Sequence, residues 1–116
     1  MIVVENIMKR ENVGDTDCHY FYRVIKDKIC LDKECITSMQ SYGIEIERQD
    51  YKEDILVNLE RESISNISPH RHKVQKLVNT LYNGNVSPIH LIDIVSEKID
   101  EYIEDFETVL NEISVN

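Results

Sequence analysis

The chain has 116 residues, 22 acidic and 13 basic side chains, a formal net charge of −9 and 41% hydrophobic residues. That length holds one domain, and such a composition folds rather than staying disordered. The charge excludes nonspecific binding to nucleic acid, because a phosphate backbone needs a basic face, and no run of about 18 apolar residues is present to span a bilayer.

The first two-thirds reads as strands. Ile2 to Ile7 is short and apolar, without the basic region and apolar stretch of a signal peptide, so a cytoplasmic protein is expected. Cys18 to Ile25 is rich in aromatic and β-branched residues, which suit a half-buried pleated surface. In Tyr42 to Arg48, Tyr42, Ile44 and Ile46 alternate with Glu45 and Glu47. Ile55, Val57 and Leu59 repeat that period, with Asn58 and Glu60 facing away. Polar connectors are expected at Glu11–Asp17, Asp32–Ser41 and Gln49–Asp54. The pattern predicts a four-stranded antiparallel meander with one wet face.

The last third changes to helical period. Ser68-Pro69 and Ser87-Pro88 each set a capping hydroxyl before a proline suited to the first helical position. Val74, Leu77, Val78 and Leu81 form an i, i+3, i+4, i+7 stripe that stops at Asn83-Gly84, a helix of roughly 20 Å. A second helix is predicted from Pro88 to about Ile113, roughly 39 Å long. Ile92, Val95, Ile99, Tyr102, Phe106, Val109 and Ile113 alternate steps of three and four, a heptad seam that Leu91, Ile94, Ile103 and Leu110 widen. The fold class expected is α+β. One domain spans residues 1–116: an antiparallel sheet over 1–67, then a C-terminal αα-hairpin over 68–116 packed on one sheet face.

The stretches Tyr42 to Arg48, Ser68 to Lys73 and Val86 to Asp93 carry a resemblance. A Tyr-Gly-Ile-Glu strand followed by two Ser-Pro helix starts resembles a family of small clostridial-type bacterial proteins, a domain of unknown function. The resemblance runs from Met1 to about Tyr102. It implies a bacterial, cytoplasmic protein and brings no activity and no catalytic residues.

Candidate chemistry is sparse. An odd count of three cysteines, Cys18, Cys30 and Cys35, fits free thiols in a reducing compartment. Cys30 and Cys35 stand at the loose end of zinc-pair spacing. His70 and His72, two apart on a helix, would point about 200° away from each other, so no metal is expected. Cys18 and His19 are strand neighbours on opposite faces and cannot pair as nucleophile and base. Glu45 and Glu47 read as a solvated outer face rather than an acid–base pair. Gly14, Gly43 and Gly84 are isolated, so there is no phosphate loop and no cofactor is expected.

Charge placement is the more informative signal. From residue 88 onward, Asp93, Glu97, Asp100, Glu101, Glu104, Asp105, Glu107 and Glu112 stand against Lys98 alone, a net of −7. The first helix opens with His70, Arg71, His72 and Lys73, where the helix dipole favours acids. Either the basic start and the acidic helix offset each other inside one fold, or both are kept for partners.

A non-catalytic interaction or regulatory protein is the function expected, with a nucleic-acid-mimic inhibitor as the alternative. Its surface would be the second helix: Glu101, Tyr102, Ile103, Glu104, Asp105, Phe106, Val109, Leu110 and Ile113, with the basic start of the first. Neither that first helix nor a strand of typical length, about 17–20 Å, covers the second helix. Ile103, Phe106, Val109, Leu110 and Ile113 are therefore expected to project past the core into a homodimer or another protein. No membrane contact is expected.

Overall fold

The computed structural model describes residues 1–115, with side chains through Ile113; Asn116 lies outside the described residues. Four strands, β1 (Ile2–Val13), β2 (Thr16–Cys30), β3 (Ser38–Lys52) and β4 (Ile55–Ser68), pair antiparallel in the order β1-β2-β3-β4. The meander is as the alternation predicts, but the strands run far past the apolar segments. Most of the expected polar connectors are strand. What remains is a turn at Gly14, a loop between Cys30 and Ser38, and a turn at Glu53-Asp54. Gly14, Glu53 and Asp54 all have left-handed backbone, with φ of 64°, 51° and 64°, so the chain reverses in two residues at both hairpins. Polar residues extend the strands because they pair across them. Arg48 and Asn58 both donate to Asp50, at 2.9 and 3.0 Å. Fifteen residues of strand span roughly 50 Å, in line with a longest dimension of 58 Å.

Register sorts the sheet into two faces. Cys18, Tyr20, Tyr22 and Val24 of β2 lie beside Ile44 and Ile46 of β3, all buried. Over them pack Val74, Val78 and Leu81 of α1 (Arg71–Asn83), then Val86, then Leu91, Val95 and Tyr102 of α2 (Leu91–Val115). The Tyr22 hydroxyl donates to the Val86 carbonyl at 2.9 Å and ties the inter-helix connection to the sheet.

The helices are held by the sheet more than by each other. α1 rests on β2 and β3, and α2 lies along β4, so they do not form a clear αα-hairpin. A groove of about 400 Å³ runs between them, lined by Lys73, Lys76, Lys98 and Tyr102 among others.

The two Ser-Pro starts differ from expectation and from each other. Ser68 still belongs to β4; its hydroxyl accepts from the His70 amide at 3.0 Å, and α1 begins only at Arg71. Ser87-Pro88 opens a single 3-10 turn, Pro88–His90, without a side-chain cap, before α2 starts at Leu91.

Gly43 sits where β3 and β4 slip register between Tyr42 and Ile44. A Cβ there would strike the Ile64 carbonyl oxygen and lie 2.9 Å from the Ser65 Cα, so the close approach of β4 needs glycine.

The cysteines depart from the free-thiol expectation. Cys30 and Cys35 are joined in a disulfide, and Cys18 alone is free, buried under the helices. The β2–β3 loop turns Cys35, at φ 56°, back onto the end of β2.

Candidate interaction surface

The basic start of α1 is committed within the fold. The Arg71 guanidinium donates to Glu5 on β1 at 2.6 Å and to the Val4 carbonyl at 3.0 Å. The Lys73 ammonium donates to Asp105 on α2 at 2.6 Å and lies 5.1 Å from the centre of the Tyr102 ring. Lys73 and Asp105 thus offset each other between the two helices, while Arg71 is paired to the sheet. His70 and His72 do not diverge as two helical residues would. His70 is the extended residue before α1, and its ring lies 5.8 Å from that of His72.

α2 departs from the expected outward seam. Its buried stripe is Leu91, Val95 and Tyr102; Ile99, Phe106, Val109 and Ile113 are half-buried. The seam faces the sheet. β4, at 14 residues and about 46 Å, is longer than a typical strand, and α2, at 25 residues and about 38 Å, packs against it. Of the five residues expected to project, Phe106, Val109 and Ile113 are partly covered, while Ile103 and Leu110 are 52% and 36% exposed. Ile92, expected in the seam, is 60% exposed.

These exposed positions share one shoulder of the helix. At about 100° per residue, Ile92, Ile103 and Leu110 fall within about 20° of one another, and Ile99 is adjacent. Lys98, Glu101 and Asp105, which face α1, lie on the other side of the buried stripe. Beyond the apolar shoulder runs a ridge of Asp93, Glu97, Asp100, Glu104 and Glu107, all exposed and none in an ion pair among the described residues. Glu101 pairs with Lys98 at 3.1 Å.

β4 is an edge strand, and its first residues, Ile55, Leu56, Val57 and Leu59, are all exposed. The alternation assigned Ile55, Val57 and Leu59 to a covered face; the helices end short of it. Leu56, apolar amid that alternation, was the available signal that this stretch is not a simple half-buried strand.

The sheet face opposite the helices holds an ion network. Glu45 and Glu47, expected on a solvated face, are buried, Glu47 to 2% exposure. Arg23 donates to Glu45 at 2.7 Å, and Arg61 and Gln49 both donate to Glu47. Burial pushes the Glu47 carboxyl up, but the Arg61 and Gln49 hydrogen bonds and the Arg23 charge outweigh it and leave it below the usual range. A general acid needs the opposite shift, so Glu47 is built to stay charged. Cys18 is no better placed as a nucleophile. Burial and the neighbouring Asp50 push its thiol up, which disfavours the thiolate. His19 lies on the other face, 3.1 Å from Asp17 and with its ring tilted against that of Tyr51.

No helix among the described residues is long and apolar enough to cross a membrane. Comparison with curated proteins finds no match, nor does comparison with solved structures. Residues 1–101 match a family of unknown function, DUF6514, so the match takes in the sheet, α1 and the first half of α2 and stops before Tyr102. The chain belongs to this family, DUF6514.

Proposed function

We propose that this is a non-catalytic, bacterial interaction protein that works through the outer shoulder of α2, and that its first partner is a second copy. The supporting observation is the spacing of the apolar row. Ile92, Ile99, Ile103 and Leu110 are separated by seven, four and seven residues, which reads the same in both directions. In an antiparallel pair of α2 helices, Ile92 then faces Leu110 of the second copy and Ile99 faces Ile103. Apolar meets apolar at all four levels, as interhelical packing requires. Apolar burial drives this association, with each large side chain gaining about 1.5–3 kcal/mol on full burial.

The ridge of five exposed acids, in no ion pair among the described residues, favours a second reading, an inhibitor that presents carboxylates where a basic enzyme expects phosphates. Salt separates the two, because counter-charge contacts weaken steeply with salt and apolar packing does not. Sedimentation velocity in dilute and in molar salt is the test. A dimer retained in both supports the apolar shoulder. A monomer that competes with duplex DNA for a basic DNA-binding protein, only in dilute salt, supports the mimic and removes the first reading.

A further inference from the structure

The β2–β3 hairpin extends beyond the four-stranded sheet. β1 pairing with β2 ends at Ile2 opposite Lys26, and β4 pairing with β3 ends at Tyr42 opposite Ser68. Past those points Asp27–Cys30 and Ser38–Ser41 pair only with each other, a two-stranded ribbon of the kind that is marginal alone in water. The Cys30–Cys35 disulfide sits at its tip. Cys30 is exposed, Cys35 partly so, and Ile36 beside them is 78% exposed. The loop has supports of its own. The Asp32 carboxylate accepts from the Ile36 and Thr37 amides at 2.9 and 3.1 Å, and the Leu31 amide donates to the Thr37 carbonyl at 2.9 Å. Met39, buried, roots the ribbon.

We infer that Cys30 and Cys35 form a thiol–disulfide exchange site for a dithiol reductant, and that their state sets the order of the ribbon tip. Two features carry this. The sulfurs lie outside the core, so the bond can open without unfolding the domain, and the Asp32 scaffold keeps both cysteines near each other, so it can close again. A thiolate of the dithiol attacks the sulfur of Cys30, the more exposed residue of the two; the S–S bond breaks and Cys35 leaves as a thiol after taking a proton. The second thiol of the reductant then attacks the mixed disulfide, releases Cys30 as a thiol and departs as a disulfide. Two electrons and two protons pass to the pair. A disulfide oxidant reverses the sequence. Cys18, buried with a raised thiol, takes no part.

Thiol labelling of the native full chain, read by intact mass, tests the site. The oxidised protein is expected to take no label. After millimolar dithiothreitol it should take two, mapped to Cys30 and Cys35, with unchanged circular dichroism, and glutathione disulfide should return it to none. Two labels that persist after glutathione disulfide, or labels that appear only in denaturant, would overturn the site. Amide hydrogen exchange tests the switch. In the reduced protein, and in the Cys30→Ser, Cys35→Ser double variant, amides of the tip should exchange roughly tenfold faster or more, with β4 and α1 unchanged. Equal tip exchange in both states would show that the pair orders nothing.

Discussion

Lys73 in the first turn of α1 donates to Asp105 on α2 at 2.6 Å, above the ring of Tyr102. This contact joins two elements that meet the sheet on different strands, and it accounts for one local violation, a cation in the first turn of a helix, where the dipole disfavours it. Beside Asp105 that cation has a partner, and both side chains are mostly shielded from water.

Removing either partner should therefore cost stability chiefly through the pair. Lys73→Ala and Asp105→Ala are expected to show a coupling of about 0.5–1 kcal/mol in a double-mutant cycle measured by urea unfolding. Additive losses would mean that the groove between the helices is held by Tyr102 packing alone.

Buried carboxylates, one on each sheet face, predict an acid limit to stability. Glu47 is held below the usual carboxylate range, as is Asp50, where burial works upward and the Arg48, Asn58 and Cys18 hydrogen bonds prevail. A depressed native pKa gives stability that is present above the unfolded value, about 4.3 for Glu, and lost as pH falls through the native one. Stability followed by denaturant midpoint should be flat from neutral pH to about pH 5 and then fall. Glu47→Gln should lower stability at neutral pH by about 1–3 kcal/mol and make the acid fall shallower. An unchanged acid limb in that variant would place the titration elsewhere.

Gly43 carries a purely steric prediction. Its missing Cβ makes room for the backbone of Ile64 and Ser65, and backbone cannot rotate out of the way. Gly43→Ala is expected to destabilise by roughly 2–4 kcal/mol in thermal or urea unfolding. A loss no larger than that of an ordinary exposed strand position would mean that the β3–β4 slip can relax.

The four strands and two helices were legible because Tyr42, Ile44 and Ile46 alternate cleanly and Val74, Leu77, Val78 and Leu81 hold a helical period. Strand length was not, because Asp50 on β3 is satisfied partly by Asn58 on β4, and a single-strand pattern does not show cross-strand partners. The same blindness hid the burial of Glu45 and Glu47. On α2 the sequence placed the apolar residues well but not their direction. Seam and shoulder differ by less than a quarter turn, and only the position of β4 decides which one is covered. The Cys30–Cys35 bond escaped notice because counting cysteines says nothing about a loop that folds back on itself.

The proposed dimer rests on the α2 shoulder, and sedimentation equilibrium of three proteins tests it most directly. The natural chain is predicted to be a dimer at micromolar concentration in dilute and molar salt. Ile103→Asp, which places a charge in the apolar row, should be monomeric with its helix content intact and its unfolding midpoint no longer dependent on protein concentration. Ile94→Asp, an exposed isoleucine on the far side of the same helix, should remain a dimer. A natural chain that stays monomeric at these concentrations, or an Ile103→Asp variant that dimerises as well as Ile94→Asp, would contradict it.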